Sequence, residues 1–267
     1  MVKSIQTQFP QESFQPSYEQ WQQRNVDRHN AAQGDLKGYN CPLCKNRGDF
    51  LELVNGHEII RFCSCKAIRQ SIRNIEKSGL AEMMYKQTFD SYIANEPWQH
   101  RIKSLAEQFV SNCGNGGNAS WFYIGGQVGA GKTHICTAIV GELLNQGLKA
   151  RYMLWRDEAV YLKANVNDDA AYAAAIKPLK SVDVLYIDDF FKTERGNKPT
   201  TGDINLAFEL INHRYNNRAL TTVISSEKTV EELIDIDEAI GSRIYQRSKD
   251  FNISIGRSRD KNFRFGL

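Results

Sequence analysis

The chain has 267 residues and a formal charge of +3, from 34 Lys+Arg against 31 Asp+Glu. That length suits one large domain or two smaller ones, and the near balance of charge gives no whole-chain argument for nucleic-acid binding. No stretch is apolar for long enough to span a membrane, and Met1-Val2-Lys3-Ser4-Ile5-Gln6 lacks the apolar run of a signal peptide, so the expected setting is the cytoplasm, with reduced cysteines.

The first thirty-odd residues are rich in Gln, Asn and Ser. Tyr18-Glu19-Gln20-Trp21-Gln22-Gln23-Arg24 reads either as the start of a short amphipathic helix or as part of a flexible arm, because its few apolar residues do not hold a helix alone. Next comes a unit bracketed by Cys41-Pro42-Leu43-Cys44 and Cys63-Ser64-Cys65. Between the two pairs, strand-like residues 50–54 and 57–62 flank Asn55-Gly56. Asn-Gly favours a type I′ hairpin, whose two central residues need positive φ. Such a hairpin returns Cys63 and Cys65 to Cys41 and Cys44. Four thiolates then converge as tetrahedral zinc requires, with no open position, so the expected site is structural. His57 sits beside the turn, far from the strand ends, and is the weaker candidate ligand. A hairpin this small cannot bury enough surface alone, and zinc would contribute roughly 10–16 kcal/mol of apparent folding free energy.

Residues 66–77 place Ile68, Ile72 and Ile75 among Arg69 and Arg73, the pattern of an amphipathic helix with a packed isoleucine stripe. Residues 79–98 read as a join. Ile102, Leu105, Ala106, Phe109 and Val110 then mark a helix leading to Trp121-Phe122-Tyr123-Ile124, a short buried strand. Directly after it stands Gly126-Gln127-Val128-Gly129-Ala130-Gly131-Lys132-Thr133-His134, a P-loop of the form G-x-x-x-x-G-K-T. Its glycines let backbone N–H groups approach phosphates. Lys132 supplies charge to the β- and γ-phosphates, and the Thr133 hydroxyl is a ligand for magnesium. An apolar helix over 134–144, ended by Gly147, adds its N-terminal dipole to the anion site. The expected ligand is ATP with Mg²⁺.

Residues 150–154 read as a further strand. Val184-Leu185-Tyr186-Ile187-Asp188-Asp189 is an apolar run ending in two acids, about fifty residues past the P-loop. A strand buried on both faces gives such a run. Asp188 is placed to hold Mg²⁺ and Asp189 to polarise the attacking water. A helix over 204–214, a strand over 220–225 that ends in Ser226-Glu227, and a last strand over 251–255 complete a parallel sheet with helical crossovers. From Arg243 onward the chain is locally basic, with Arg247, Lys249, Arg257, Arg259, Lys261 and Arg264. That pattern fits either phosphate contact or a solvated terminal strand.

The P-loop, Asp188-Asp189-Phe190, Ile211-Asn212-His213-Arg214-Tyr215 and Gly241-Ser242-Arg243-Ile244 together resemble the DnaC/DnaI helicase loaders of bacteria and phages, which are AAA+ ATPases. The resemblance covers about residues 85 to 267, and the cysteine unit resembles the zinc-binding N-terminal part of DnaI-type and phage loaders. It implies an α/β AAA+ core with strand order 5-1-4-3-2 and no separate helical lid, preceded by a small zinc-binding domain. It further implies a helicase-interacting domain over 1–85, a linker over 86–98 and an ATPase domain over 99–267. Arg243 resembles the arginine finger that reaches the γ-phosphate of a neighbouring subunit, with Arg247 as the fallback. The implied partners are a hexameric, DnaB-like replicative helicase, single-stranded DNA and further copies of the chain, in the cytoplasm of a bacterial cell and encoded by host or phage.

Two features depart from that family's pattern. Ser226-Glu227 stands where a γ-phosphate-sensing Asn is usual, and Asp189 stands where most members carry Glu. The shorter acid makes slow, switch-like hydrolysis the expectation. Competing readings are an IstB-type transposition helper ATPase, a small-molecule P-loop kinase, and a zinc-containing nucleic-acid adaptor that binds ATP without cleaving it. No acceptor pocket or Arg-bearing lid for a kinase is legible. Asp189 and Arg243 oppose the adaptor reading, which Glu227 favours.

Overall fold

The computed structural model describes residues 17–37, 39–77, 80–114, 120–193 and 197–265. Residues 1–16 of the Gln-rich start, and Gly79 at the head of the expected join, lie outside them. The chain divides into two compact units, Met1–Lys66 and Ala67–Leu267. Among the described residues no helix is long and apolar enough to cross a membrane.

In the first unit, helix α1 (Tyr18–Ala31) opens on a reciprocal capping box between Ser17 and Gln20. Strands β1 (Asp49–Val54) and β2 (His57–Phe62) pair antiparallel with Val54 opposite His57. Asn55 and Gly56 take φ of 51° and 77°, as the type I′ turn demands. The helix, rather than an arm, forms because the hairpin holds it. The Asn30 amide accepts from Leu51 N and donates to Leu51 O, both at 2.9 Å, and so stands in for a neighbouring strand along β1. Gln22 Nε2 donates to the Gly56 carbonyl at 2.8 Å. The helix is polar and gains its stability from these tertiary bonds.

Helix α2 (Cys65–Lys77) buries Ile68 and Ile75, and α3 (Ala81–Lys86) follows. The larger unit continues with α4 (Pro97–Gly114), β3 (Trp121–Gly126), α5 (Lys132–Asn145), β4 (Ala150–Leu154), α6 (Trp155–Ala164), α7 (Asp169–Ser181) and β5 (Val184–Asp188). It ends with α8 (Thr201–Asn216), β6 (Thr221–Ser225), α9 (Val230–Ile236), α10 (Glu238–Ser248) and β7 (Asn252–Ile255). The five strands lie in the order β4-β5-β6-β3-β7, with every pairing parallel. Counted from the P-loop strand this is 5-1-4-3-2, as the resemblance implied.

Side chains alternate across the sheet. Trp121, Tyr123, Leu185, Ile187 and Ile224 meet α6 to α10 on one face, whereas Phe122 meets Phe109 of α4 on the other, ring centroids 5.4 Å apart. Strands β3, β5 and β6 are buried along their whole length, the expected state of central parallel strands.

The stretch 86–98 is not a free linker. Tyr92 is buried, its ring stands edge-on to His134 of α5, and His134 Nε2 lies 2.9 Å from the Thr88 carbonyl. These contacts tie the stretch to helix α5 of the larger unit. In the basic run from Arg243, Lys249, Arg257, Arg259 and Arg264 are exposed, whereas Arg247 is buried. Arg257 pairs with Glu232, and residues 258–263 fold onto the P-loop, with Phe263 N donating to Gly129 O at 3.0 Å.

Arg214 is fully buried within this core. Its guanidinium donates to the carbonyls of Leu179, Val182 and Thr221 and to the Thr222 hydroxyl. Burial, followed by the charge of Arg247, pulls its pKa down. The fork joins the end of α7 to the start of β6, and no single-point cation reproduces its geometry. Arg214→Ala should cost at least about 3 kcal/mol in chemical denaturation, because it leaves several buried acceptors unpaired. Arg214→Lys should restore less than half of that loss.

Candidate functional site

The P-loop leaves β3 and re-enters helix at Lys132. Gly126, Gly129 and Gly131 take φ of 104°, 75° and 77°, conformations that L side chains rarely adopt. Space forbids a side chain as well. A Cβ on Gly126 would lie 2.1 Å from the Ile255 carbonyl, and one on Gly129 would lie 1.9 Å from Asn262 Oδ1. The loop opens on a cleft of about 380 Å³. Residues 128–134 line it together with Asp189, Lys192 and Glu227, while Gln87, Tyr92, Ile93 and Phe263 form a more apolar wall.

Lys132 Nζ donates to the carbonyls of Gly126 and Gln127, at 2.9 and 2.6 Å. Burial pulls this ammonium below its ordinary pKa, against the opposing charges of Glu227 and Asp189. Thr133 Oγ1 lies 3.3 Å from Asp188 Oδ1. Asp188 also accepts from the Tyr152 hydroxyl at 3.2 Å, from the backbone N–H of Asp189 at 3.1 Å, and from the Ser225 hydroxyl. Burial and the Asp188 charge push the Tyr152 phenol up, so it remains a donor. A hydroxyl and a carboxylate converging at the foot of a phosphate cradle are the hard oxygen donors that magnesium takes.

Asp189 follows with φ 53° and Phe191 with φ 56°, a tight turn that aims the Asp189 carboxylate into the cleft. Behind the turn, Trp155 packs on Phe190 and Phe191 with centroids 4.8 and 5.4 Å away. At the end of β6, Ser226 is buried and its hydroxyl donates to Phe190 O at 2.8 Å, so Glu227 is the residue that faces the cleft.

Arg243 lies outside this cleft. On α10 it donates to Ala239 O at 2.7 Å and stands over the rings of Phe208 and Tyr215. Arg247 is buried, bonded to the Tyr215 and Leu220 carbonyls, and serves packing rather than the fallback role.

In the smaller unit, the sulfurs of Cys41, Cys44, Cys63 and Cys65 all lie within 4.8 Å of one another. The Cys41–Cys63 and Cys44–Cys65 pairs stand 3.7 and 3.4 Å apart. Four thiolates about 2.3 Å from one zinc have sulfurs about 3.8 Å apart, so the cluster is tetrahedral in scale. The Gly48 N–H donates to Cys44 Sγ at 3.3 Å, as a thiolate ligand favours. His57 is not among these groups.

Tyr152, Ser225, Lys192, Tyr92 and Phe263 carry no motif of their own, and reading the sequence missed them. Lys192, three residues past Asp189, had the one local signal: an i,i+3 acid–base spacing.

The strand order, the glycine cradle and the Thr133–Asp188 contact define an AAA+ P-loop fold. A family model described as IstB-like ATP binding protein matches residues 49–248, and the chain belongs to that family. It is 32% identical over 236 residues to the phage-like element PBSX protein XkdC of Bacillus subtilis (strain 168), covering 84% of this chain and 85% of that protein. It is 28% identical over 118 residues to the replicative helicase loader DnaC of Escherichia coli (strain K12), covering 44% of this chain and 47% of that one. The match thus spans about half the length of that loader. A crystal structure of the DnaC helicase loader shares the fold, with a TM-score of 0.51 at 19% identity over 66% of this chain and 98% of that one. The chain is therefore an IstB-like ATP-binding protein whose core has the fold seen in the DnaC helicase loader.

Lys132→Ala should abolish nucleotide binding in a fluorescent-nucleotide titration while circular dichroism and melting stay near wild type. Unchanged affinity in a folded variant would contradict the assignment of the cleft.

Proposed function

We propose that the chain is an ATP-dependent loader that places a hexameric, DnaB-like replicative helicase on single-stranded DNA. The supporting observation is the combination of a DnaC-type nucleotide cleft with a four-cysteine unit ahead of it in the chain. In this reading residues 126–134 hold the phosphates of ATP, and Thr133 and Asp188 hold magnesium. The ion would neutralise charge on the β- and γ-phosphate oxygens. Asp189 orients and polarises the attacking water. Arg243, which does not line its own chain's cleft, would complete the cleft of a neighbouring copy.

An arginine supplied in trans makes hydrolysis conditional on assembly, which fits a slow switch better than a housekeeping ATPase. The four cysteines hold zinc and stabilise the part of residues 1–85 that grips the helicase. Residues 99–267 assemble and contact the strand. Two tethered contacts reinforce each other through effective concentration, and the DNA contact, being electrostatic, should weaken steeply with salt.

The family description favours one further reading, an IstB-like helper ATPase in transposition. Co-purification separates the two. The full chain should elute with the hexameric replicative helicase of its own cell, and Cys63→Ser/Cys65→Ser should lose that complex while retaining nucleotide binding. Absence of any helicase complex, with or without ATP, would contradict the loader reading.

Elemental analysis of freshly reduced protein should find one zinc per chain, and none in the Cys63→Ser/Cys65→Ser variant. Zinc retained in full by that variant, or absent from the wild type, would refute the site.

A further inference from the structure

We propose that Lys192, held between Asp189 and Glu227, is the residue by which this chain recognises the terminal phosphate of a nucleoside triphosphate. The inference rests on the nucleotide reading of the cleft and adds a positioning residue that no motif marks. Its place follows from the orientation of the loop. The glycine cradle takes the inner phosphates, Lys132 reaches the outer two, and the Thr133–Asp188 pair bridges toward the last. Asp189 follows Asp188 directly, and Lys192 Nζ lies 2.8 Å from Asp189 Oδ2 and 3.0 Å from Glu227 Oε1. This three-residue cluster therefore stands at the terminal-phosphate end.

Charge shows why a cation is needed there. Asp188, Asp189 and Glu227 bring three carboxylates to the end of the cleft that receives the most negative part of the ligand. Glu227 alone would repel a polyphosphate, and the polar Ser226 cannot relieve it because its hydroxyl is committed to Phe190 O. Lys192 offsets the two outer acids. An ammonium has three N–H donors. Asp189 and Glu227 engage two, which leaves one for a phosphate oxygen. The side chain is 41% exposed on the lip of the cleft, able to turn toward a ligand without repacking the core. Desolvation acts to lower its pKa, but the bonds to Asp189 and Glu227 outweigh it and hold the lysine above its ordinary value, so it stays charged. The same ammonium fixes the Asp189 carboxylate, so phosphate recognition and placement of the base are coupled through one residue.

The test is a nucleotide titration of the full chain with MgATP and MgADP, with a thermal melt on each variant. Lys192→Met should weaken ATP roughly tenfold or more while changing ADP by less than about threefold, the scale of one charge-assisted bond. Lys192→Arg should keep the ATP preference. Glu227→Gln placed in the Lys192→Met background should recover part of the lost ATP affinity, because it removes the unopposed acid. Equal losses for ATP and ADP, no loss for either, or no recovery in the double variant would overturn the proposal. Failure of Lys132→Ala to affect either nucleotide would instead remove the nucleotide reading itself.

Discussion

The bonds converging on Asp188 are the constraint on which the larger unit depends. One carboxylate accepts from Thr133 at the start of α5, Tyr152 on β4, Ser225 on β6 and the next backbone amide. These groups meet only if the strands run parallel, in this order and in this register, so that their carboxyl ends align. A buried carboxylate with fewer donors would be costly. Two of these donors also shape the cleft: Thr133 stands at the start of the P-loop helix, and the Asp189 amide begins the turn that carries the Asp189 carboxylate to the cleft. The sheet topology and the site are thus one arrangement.

The smaller unit obeys a different economy. It has a two-stranded hairpin, one polar helix and strand β2 exposed along its length. Hydrogen bonds from Asn30 and Gln22 hold the helix on the hairpin, each worth about 1 kcal/mol net. The four buried cysteines converge where packing is sparse, at the spacing a tetrahedral metal site requires.

Much of this was legible in the residues, and the omissions have physical causes. The P-loop, the Asp188 strand, the Asn55-Gly56 turn and the cysteine spacing are local patterns whose chemistry needs those residues at those intervals. The strand order came from family resemblance, because no periodicity encodes which strands become neighbours. Helix α1 is not legible in its own residues because what holds it are bonds to β1 and the hairpin turn. Residues 86–98 looked like a join since Tyr92 gives no sign, within its own segment, of the P-loop helix it packs against. Arg247 looked available because basic residues near a terminus usually are; only burial against Trp121 and the carbonyls around it shows otherwise. Lys192 was invisible as a partner of Glu227, 35 positions away along the chain, until the ends of β5 and β6 were brought together.

The proposed loading of a ring-shaped helicase is tested most sharply on DNA that has no ends. A closed circle of single-stranded DNA admits a preassembled hexamer only if the ring is opened. Counting helicase rings retained on such circles after a high-salt wash measures loading itself. The account predicts retention that requires both this protein and ATP. Equal retention with the protein omitted would contradict it.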